Sequence, residues 1–268
     1  MFENIQTIIF DLDGTLYQDD NYHKYYLHNL LENTGREDWE SSFIDFVESV
    51  LKGEHLKMNA FYLSDKLETD DLSHYFCQLE ESLVEDVSYH QALKSSNLIY
   101  LGDLWAVLNL LGKTSGMLEV KNGYEVFKAT RKDMEAYATK GDEKLLDALL
   151  QAKEQYQTML FSNTDEFLGS SYLTILGFQE AFTHIVYQAD KPRDFLLNLE
   201  KLDPDIIKKP ESILSIGDHG YNDLMPLQSI GGRTVWINPY KGINEPTYDL
   251  QLNSINELTM FLNKLLSN

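Results

Sequence analysis

Four short stretches of this sequence set reactive groups where strands run out. The first is Asp11-Leu12-Asp13-Gly14-Thr15, after the apolar, β-branched run Ile5 to Phe10. On extended backbone, residues two apart project to one side, so Asp11 and Asp13 face one small volume. Carboxylates so placed repel, and one shifts toward its protonated form unless a cation is present. The pair suits a Mg²⁺ site, an acid/base couple, or both; a plain Asp-Gly turn is the structural alternative. A calcium loop does not fit, because the glycine comes too early and no ligand series follows at alternate positions.

The second stretch is Ser162-Asn163, after Met159-Leu160-Phe161. A hydroxyl there either binds a phosphoryl oxygen or caps a turn. The third is Lys191-Pro192. A proline at the first position of a helix leaves Lys191 in the loop before it. There it pairs with a nucleophile and a phosphoryl group, or it is a surface lysine. The fourth runs from Ile216-Gly217-Asp218-His219 to Asp223, again off a strand, with Asp223 inside the opening of a helix. Hard divalent ions prefer such oxygen ligands; a Gly-Asp turn with a capping aspartate is the alternative. His219 reads as a loop histidine, and the other histidines lack metal-site spacing. Tyr17, Tyr22, Tyr25 and Tyr26 could stack on a base or sugar. The i, i+3, i+4 spacing of the last three favours helical core packing instead.

These groups need elements to carry them. Besides Ile5 to Phe10, strands are predicted at Gln157 to Phe161, Ser212 to Ile216 and Thr234 to Ile237, with a weaker one at Thr183 to Tyr187. Helices are predicted over Asp142 to Gln155, Asp194 to Leu202 and Ile255 to Leu266, each with apolar residues on one face. Alternation of this kind predicts a parallel sheet covered by helices on both faces. From about Asn21 to Thr139 the apolar residues recur at helical spacing, as in Phe43, Phe46, Val47 and Val50, or Leu104, Val107, Leu108 and Leu111. No strand alternation is evident there. Within it, Asp65 to Asp86 holds eight acidic residues and one lysine, which reads as a solvated helical surface.

The 268 residues carry 22 Lys plus Arg against 43 Asp plus Glu, a formal charge of −21. Such a surface repels nucleic-acid phosphates and anionic lipid, so neither is expected as a main partner. The longest aliphatic or aromatic run is the five residues Leu104 to Leu108, far short of the roughly 20 a membrane span needs. One cysteine, Cys77, cannot form an intrachain disulfide. With no basic segment at the start, the expected setting is reducing and cytoplasmic.

The order strand-Asp-x-Asp-Gly-Thr, strand-Ser-Asn, Lys-Pro, strand-Gly-Asp-x-x-x-x-Asp resembles the haloacid dehalogenase superfamily. The likeness covers residues 1–20 and about 142–268, and Phe10 to Leu16 is its most specific element. It implies an α/β fold: a Rossmann-like parallel-sheet core (1–20 and 140–268) with a large all-α, C1-type cap inserted after the first strand (21–139). It also implies roles. Asp11 would be the nucleophile that forms an aspartyl-phosphate. Asp13 would protonate the leaving oxygen, deprotonate water, and offer its carbonyl to Mg²⁺. Ser162, with Asn163 beside it, and Lys191 would bind substrate, Lys191 offsetting negative charge. Asp218 would complete the metal ligands, with Asp223 behind it directly or through water. Dehalogenases of the superfamily lack the second aspartate of the first motif, and P-type ATPases place Thr there. Asp13 therefore points to a Mg²⁺-dependent phosphomonoesterase acting on a small soluble phosphate ester. A sugar-phosphate mutase or a non-catalytic binding protein of the same fold are the alternatives.

Overall fold

The computed structural model describes residues 2–19, 21–119, 122–137, 141–238, 240 and 245–267. In chain order its elements begin with β1 (Thr7–Phe10), α1 (Tyr22–Glu32), α2 (Glu40–Leu51), β2 (Phe61–Leu63), α3 (Leu72–Glu81), β3 (Leu83–Val84), α4 (Tyr89–Ala92), β4 (Leu98–Tyr100), α5 (Leu104–Thr114) and α6 (Gly123–Tyr137). They continue with α7 (Glu143–Gln155), β5 (Gln157–Phe161), α8 (Glu166–Leu176), β6 (His184–Val186), α9 (Phe195–Leu202), β7 (Ile213–Gly217), α10 (Met225–Gln228), β8 (Arg233–Ile237), β9 (Leu250–Leu252) and α11 (Ile255–Leu266).

All four residues of β1 are buried, as expected of a strand covered on both faces. It lies inside a six-stranded sheet ordered β6-β5-β1-β7-β8-β9, in which every pairing is parallel. The chain winds outward from β1 through β5 to β6, returns to the other side of β1, and winds outward again through β7, β8 and β9. Where such winding reverses, between β1 and β7, a crevice opens at the carboxyl ends of the strands. The five predicted strands are present, each within two residues of its expected bounds. The edge strand β9 escapes sequence reading because Leu-Gln-Leu is too short to show a period. Asp249 sets it in place, accepting from the Thr234 N–H at 2.8 Å and pairing with Arg233 at 3.2 Å.

Helix α7 starts at Asp142, whose carboxylate accepts from the Leu145 N–H at 2.8 Å. It buries Leu145, Ala148, Leu149 and Ala152. Its end is tied to α11 by the Tyr156 hydroxyl, which donates to the Leu265 carbonyl at 3.1 Å.

The chain folds as two compact units: Met1–Gln18, Ala138–Pro239 and Pro246–Asn268 form one, and Asp19–Tyr137 with Tyr240–Glu245 the other. The boundaries expected from sequence, at Asp20 and at Thr139–Lys140, lie outside the described residues. The second unit is largely helical: α1 packs on α2, α5 and α6. Phe43, Phe46, Val47, Val50, Leu104, Val107, Leu108 and Leu111 are all buried. Tyr22 stacks on Trp105 with ring centroids 4.4 Å apart, Tyr25 stacks on Tyr137 at 5.8 Å, and Tyr26 is buried. The expectation of an all-α insertion needs correction, because β3, β2 and β4 form a small antiparallel sheet there. These strands are two or three residues long, and Phe61 and Tyr62 are both buried, so no alternation marks them. The acidic stretch Asp65 to Asp86 is helical only over α3, which buries Tyr75 and Leu79. No described helix is long and apolar enough to cross a membrane.

Leu149 is fully buried on α7, whereas Leu150 on the same helix is 37% exposed. Leu149→Ala should cost about 2–5 kcal/mol, and Leu150→Ala within about 0.5 kcal/mol of nothing. Urea unfolding of the two variants checks this; equal losses would mean that the core face of α7 is misassigned.

Candidate active site

The first and fourth motifs meet because β1 and β7 are neighbours in register, with Phe10 opposite Ile216. The Asp11 N–H extends the ladder by one bond, to the Ile216 carbonyl at 3.0 Å. Asp11 and Asp218 thus leave adjacent strands at the crevice. Two glycines let the carboxylates settle against backbone. Gly14 has φ +76°, and a Cβ there would lie 2.1 Å from Asp218 Oδ2. A Cβ on Gly217 would lie 2.3 Å from Asp223 Oδ2. Neither position admits a side chain without displacing a carboxylate.

The loop from Asp218 to Asp223 is fixed from within. The His219 N–H donates to Asp223 Oδ2 at 3.0 Å, and the Ser215 hydroxyl donates to the Asp223 carbonyl at 2.7 Å. His219 Nδ1 accepts from the Asn222 N–H at 3.2 Å, so this histidine caps the π-helical turn Gly220–Leu224. The Trp236 indole N–H donates to the Asp218 carbonyl at 2.8 Å.

Lys191 closes the site. Its Nζ donates to Asp11 Oδ1 at 2.6 Å and to Asp223 Oδ1 at 2.7 Å, and its side chain is only 3% exposed. It is no surface lysine. The helix expected over Asp194 to Leu202 runs from Phe195 to Leu202 with Asp194 before its first turn, and Pro192 lies in the preceding loop. The Asp194 N–H closes a turn onto the Asp190 carbonyl at 2.9 Å, and the helical run starts only after that turn. The Asn163 side chain brackets the Lys191 backbone, its Oδ1 accepting from the Lys191 N–H at 2.8 Å and its Nδ2 donating to the Lys191 carbonyl at 3.1 Å. Ser162 is buried, and its Oγ accepts from the Thr164 N–H at 3.2 Å.

Carboxylate oxygens of Asp11, Asp218 and Asp223 lie within 4.8 Å of one another. Three carboxylates around one lysine leave excess negative charge. The Asp11 carboxyl is pushed up from 3.8 to about 7, first by burial and then by the charges of Asp223 and Asp13, against the pull of Lys191. Burial alone would lower the Lys191 ammonium, but Asp11 and Asp223 outweigh it and raise it. The lysine therefore stays charged, and Asp11 carries the strain of the surplus. The Asp13 carboxylate is not part of that cluster. It accepts from the Tyr17 hydroxyl on Oδ1 and from the Thr164 hydroxyl on Oδ2, the latter at 3.4 Å. Tyr17 and Thr164 are the partners that sequence reading missed; their spacing, four residues after Asp13 and two after Ser162, is the signal available.

A family model for haloacid dehalogenase-like hydrolases matches residues 5–231. The chain belongs to that family. Among solved structures, the putative HAD-hydrolase YfnB from Bacillus subtilis, bound to magnesium, is similar at 17% identity and a TM-score of 0.55, over 97% of this chain and 99% of that one. A putative beta-phosphoglucomutase from Thermotoga maritima shows 14% identity and a TM-score of 0.52, over 97% and 99%. CbbY from Rhodobacter sphaeroides, in complex with phosphate, shows 15% identity and a TM-score of 0.51, over 95% and 96%. At these identities the likeness is one of fold. Among curated proteins, none matches. The family is a hydrolase family, and its sheet is the parallel α/β sheet described above.

Gly14 provides a test of the site's packing. Gly35 also has positive φ, +67°, but a Cβ there would meet nothing within 4 Å. Gly35→Ala should cost only the backbone strain, about 1 kcal/mol, and Gly14→Ala clearly more. Chemical denaturation of both variants measures the difference, and equal costs would show that Asp218 yields freely to a Cβ.

Proposed function

We propose that this hydrolase is a Mg²⁺-dependent phosphomonoesterase acting on a small soluble phosphate ester through an aspartyl-phosphate on Asp11. The observation that carries the reading is the buried Lys191 ammonium held between Asp11 and Asp223. A single cation at a nucleophilic carboxylate suits a substrate that brings its own negative charge. Phosphoryl transfer depends on positioning and on stabilising charge on non-bridging oxygens. The presence of Asp13 supports an ester with a leaving group that needs a proton, rather than a halide.

The donor set fits magnesium. Asp11, Asp218 and Asp223 offer only hard oxygen ligands, converging in a pocket with surplus negative charge, and Mg²⁺ prefers such donors. Asp11 and Asp218, with the Asp13 carbonyl, would hold it, and Asp223 would stand behind them. When bound, Mg²⁺ supplies charge neutralisation at the phosphoryl oxygens.

The protein's own groups do the rest. Asp11 forms a bond to phosphorus as the ester P–O bond breaks. Asp13 gives its proton to the departing alkoxide. Asp13 then takes a proton from water as the water oxygen bonds phosphorus and the Asp11–phosphorus bond breaks, releasing inorganic phosphate. Lys191 offsets the charge of Asp11 and the phosphoryl group, and Ser162 donates to a phosphoryl oxygen. Asn163 acts on the substrate through the Lys191 loop it clamps. The division into a phosphatase core (1–20 and 140–268) and a cap (21–139), and a cytoplasmic setting, belong to the same proposal.

Activity on small phosphomonoesters should stop in excess EDTA and return with added Mg²⁺; full activity in chelator would sink the metal-dependent reading. Asp11→Asn should abolish turnover and give no acid-stable, hydroxylamine-labile phosphoenzyme, since an amide does not form that bond. Lys191→Ala should cost at least about tenfold in kcat, or about 1.4 kcal/mol of barrier. Ser162→Ala should be milder, because it removes one neutral donor. A near-normal rate for the lysine variant would leave Lys191 a purely structural ion-pair partner.

A further inference from the structure

We propose that Tyr17 is a positioning residue for Asp13, holding its carboxyl in the orientation from which it exchanges a proton with the leaving group and with water. The inference rests on the phosphatase reading above. Tyr17 returns to Asp13 through an isolated β-bridge, and its hydroxyl donates to Asp13 Oδ1. The Thr164 hydroxyl donates to Asp13 Oδ2 at 3.4 Å. With a donor on each oxygen, the plane of the carboxyl is fixed, whereas its torsion is otherwise broad and soft.

Both donors are themselves held. The Tyr17 ring is buried and packs on Tyr172 with centroids 4.7 Å apart, and Tyr172 is buried on α8. Thr164 is buried, and its N–H is committed to Ser162 Oγ at 3.2 Å. A phenylalanine at position 17 would fill the same space against Tyr172, so ring packing does not call for the hydroxyl. The hydroxyl donates to Asp13, the acid that must deliver a proton.

That delivery is sensitive to orientation. Asp13 gives its proton to the leaving oxygen while the ester P–O bond breaks and the Asp11–phosphorus bond forms. It later takes a proton from the water that attacks phosphorus. A carboxyl free to rotate spends less time aligned with either partner, and small misplacements lower the rate steeply. A phenol orients the carboxyl by a hydrogen bond and adds no charge to the site.

The test is single-turnover phosphoenzyme formation, with steady-state kcat and KM, for Tyr17→Phe on an alkyl phosphate and an aryl phosphate. An alkoxide leaves poorly without a proton, whereas a phenolate leaves as a stabilised anion. Positioning of a general acid contributes part of the roughly 10²–10⁴-fold such groups supply, so about tenfold or more should be lost on the alkyl ester and under about threefold on the aryl ester. KM should hold. In an Asp13→Asn background, adding Tyr17→Phe should change neither rate, because the residue acts through Asp13. Equal losses on both esters, or a full further loss in that background, would overturn the role of Tyr17 while leaving the phosphatase reading in place. A wild-type chain inactive on both esters would overturn the phosphatase reading and this role with it. If Tyr17→Phe does not fold, Thr164→Val removes the donor on the other oxygen and reads the same alkyl-against-aryl split.

Discussion

A buried ammonium between two carboxylates organises this molecule's chemistry. Lys191 Nζ sits 2.6 Å from Asp11 and 2.7 Å from Asp223, almost out of water. Desolvating these charges costs several kcal/mol per ion, and their mutual attraction offsets that only with good geometry and further hydrogen bonds. Those bonds are present: Thr15 donates to Asp11 Oδ2 at 3.3 Å, and the His219 N–H donates to Asp223 Oδ2. The loops after β1, β6 and β7 are joined at this one ammonium. The fold does not relieve the charge imbalance it creates, and a surplus of negative charge remains around the one ammonium.

The sheet supplies the address and the glycines supply the closeness. Parallel register between β1 and β7 delivers Asp11 and Asp218 side by side, and the reversal of winding at that pair keeps connecting chain from filling the crevice. Backbone without Cβ at Gly14 and Gly217 lets two carboxylates lie where any side chain would push them out. The Asn163 clamp does the same work for the lysine, using an amide to fix a loop twenty-eight residues away in sequence. Asn163 thus helps set the position of a charged group on another loop.

Most of this was legible in the sequence because it depends on local pattern. Buried central strands are runs such as Thr-Ile-Ile-Phe, and motif residues follow them directly. What escaped depends on partners far away or on elements too short for a period. β9 and the small sheet of the insertion have two or three residues per strand, so neither alternation nor propensity stands out. The start of α9 was legible from its apolar face, at Asp194 against the observed Phe195. Asn163 was legible as a polar residue near the site, but its bonds to the Lys191 backbone were not. Tyr17 reads in the sequence as an aromatic face, and its spacing from Asp13 alone does not show that its hydroxyl donates to that carboxylate.

The parallel pairing of β1 also bears on how the protein is made. Residue 7 pairs with residues 157 and 213, so β1 is made long before either of its neighbours. Until the ribosome has released β5 and β7, Thr7 to Phe10 is an unpaired apolar strand with no charge of its own, the type of segment that associates with other chains. Closing loops of this length is slow as well as costly. The acidic residues that follow β1, Asp11 and Asp13, flank it as charged neighbours of the kind that discourage such association. The two carboxylates that follow β1 thus also stand beside that strand before either of its partners has been made.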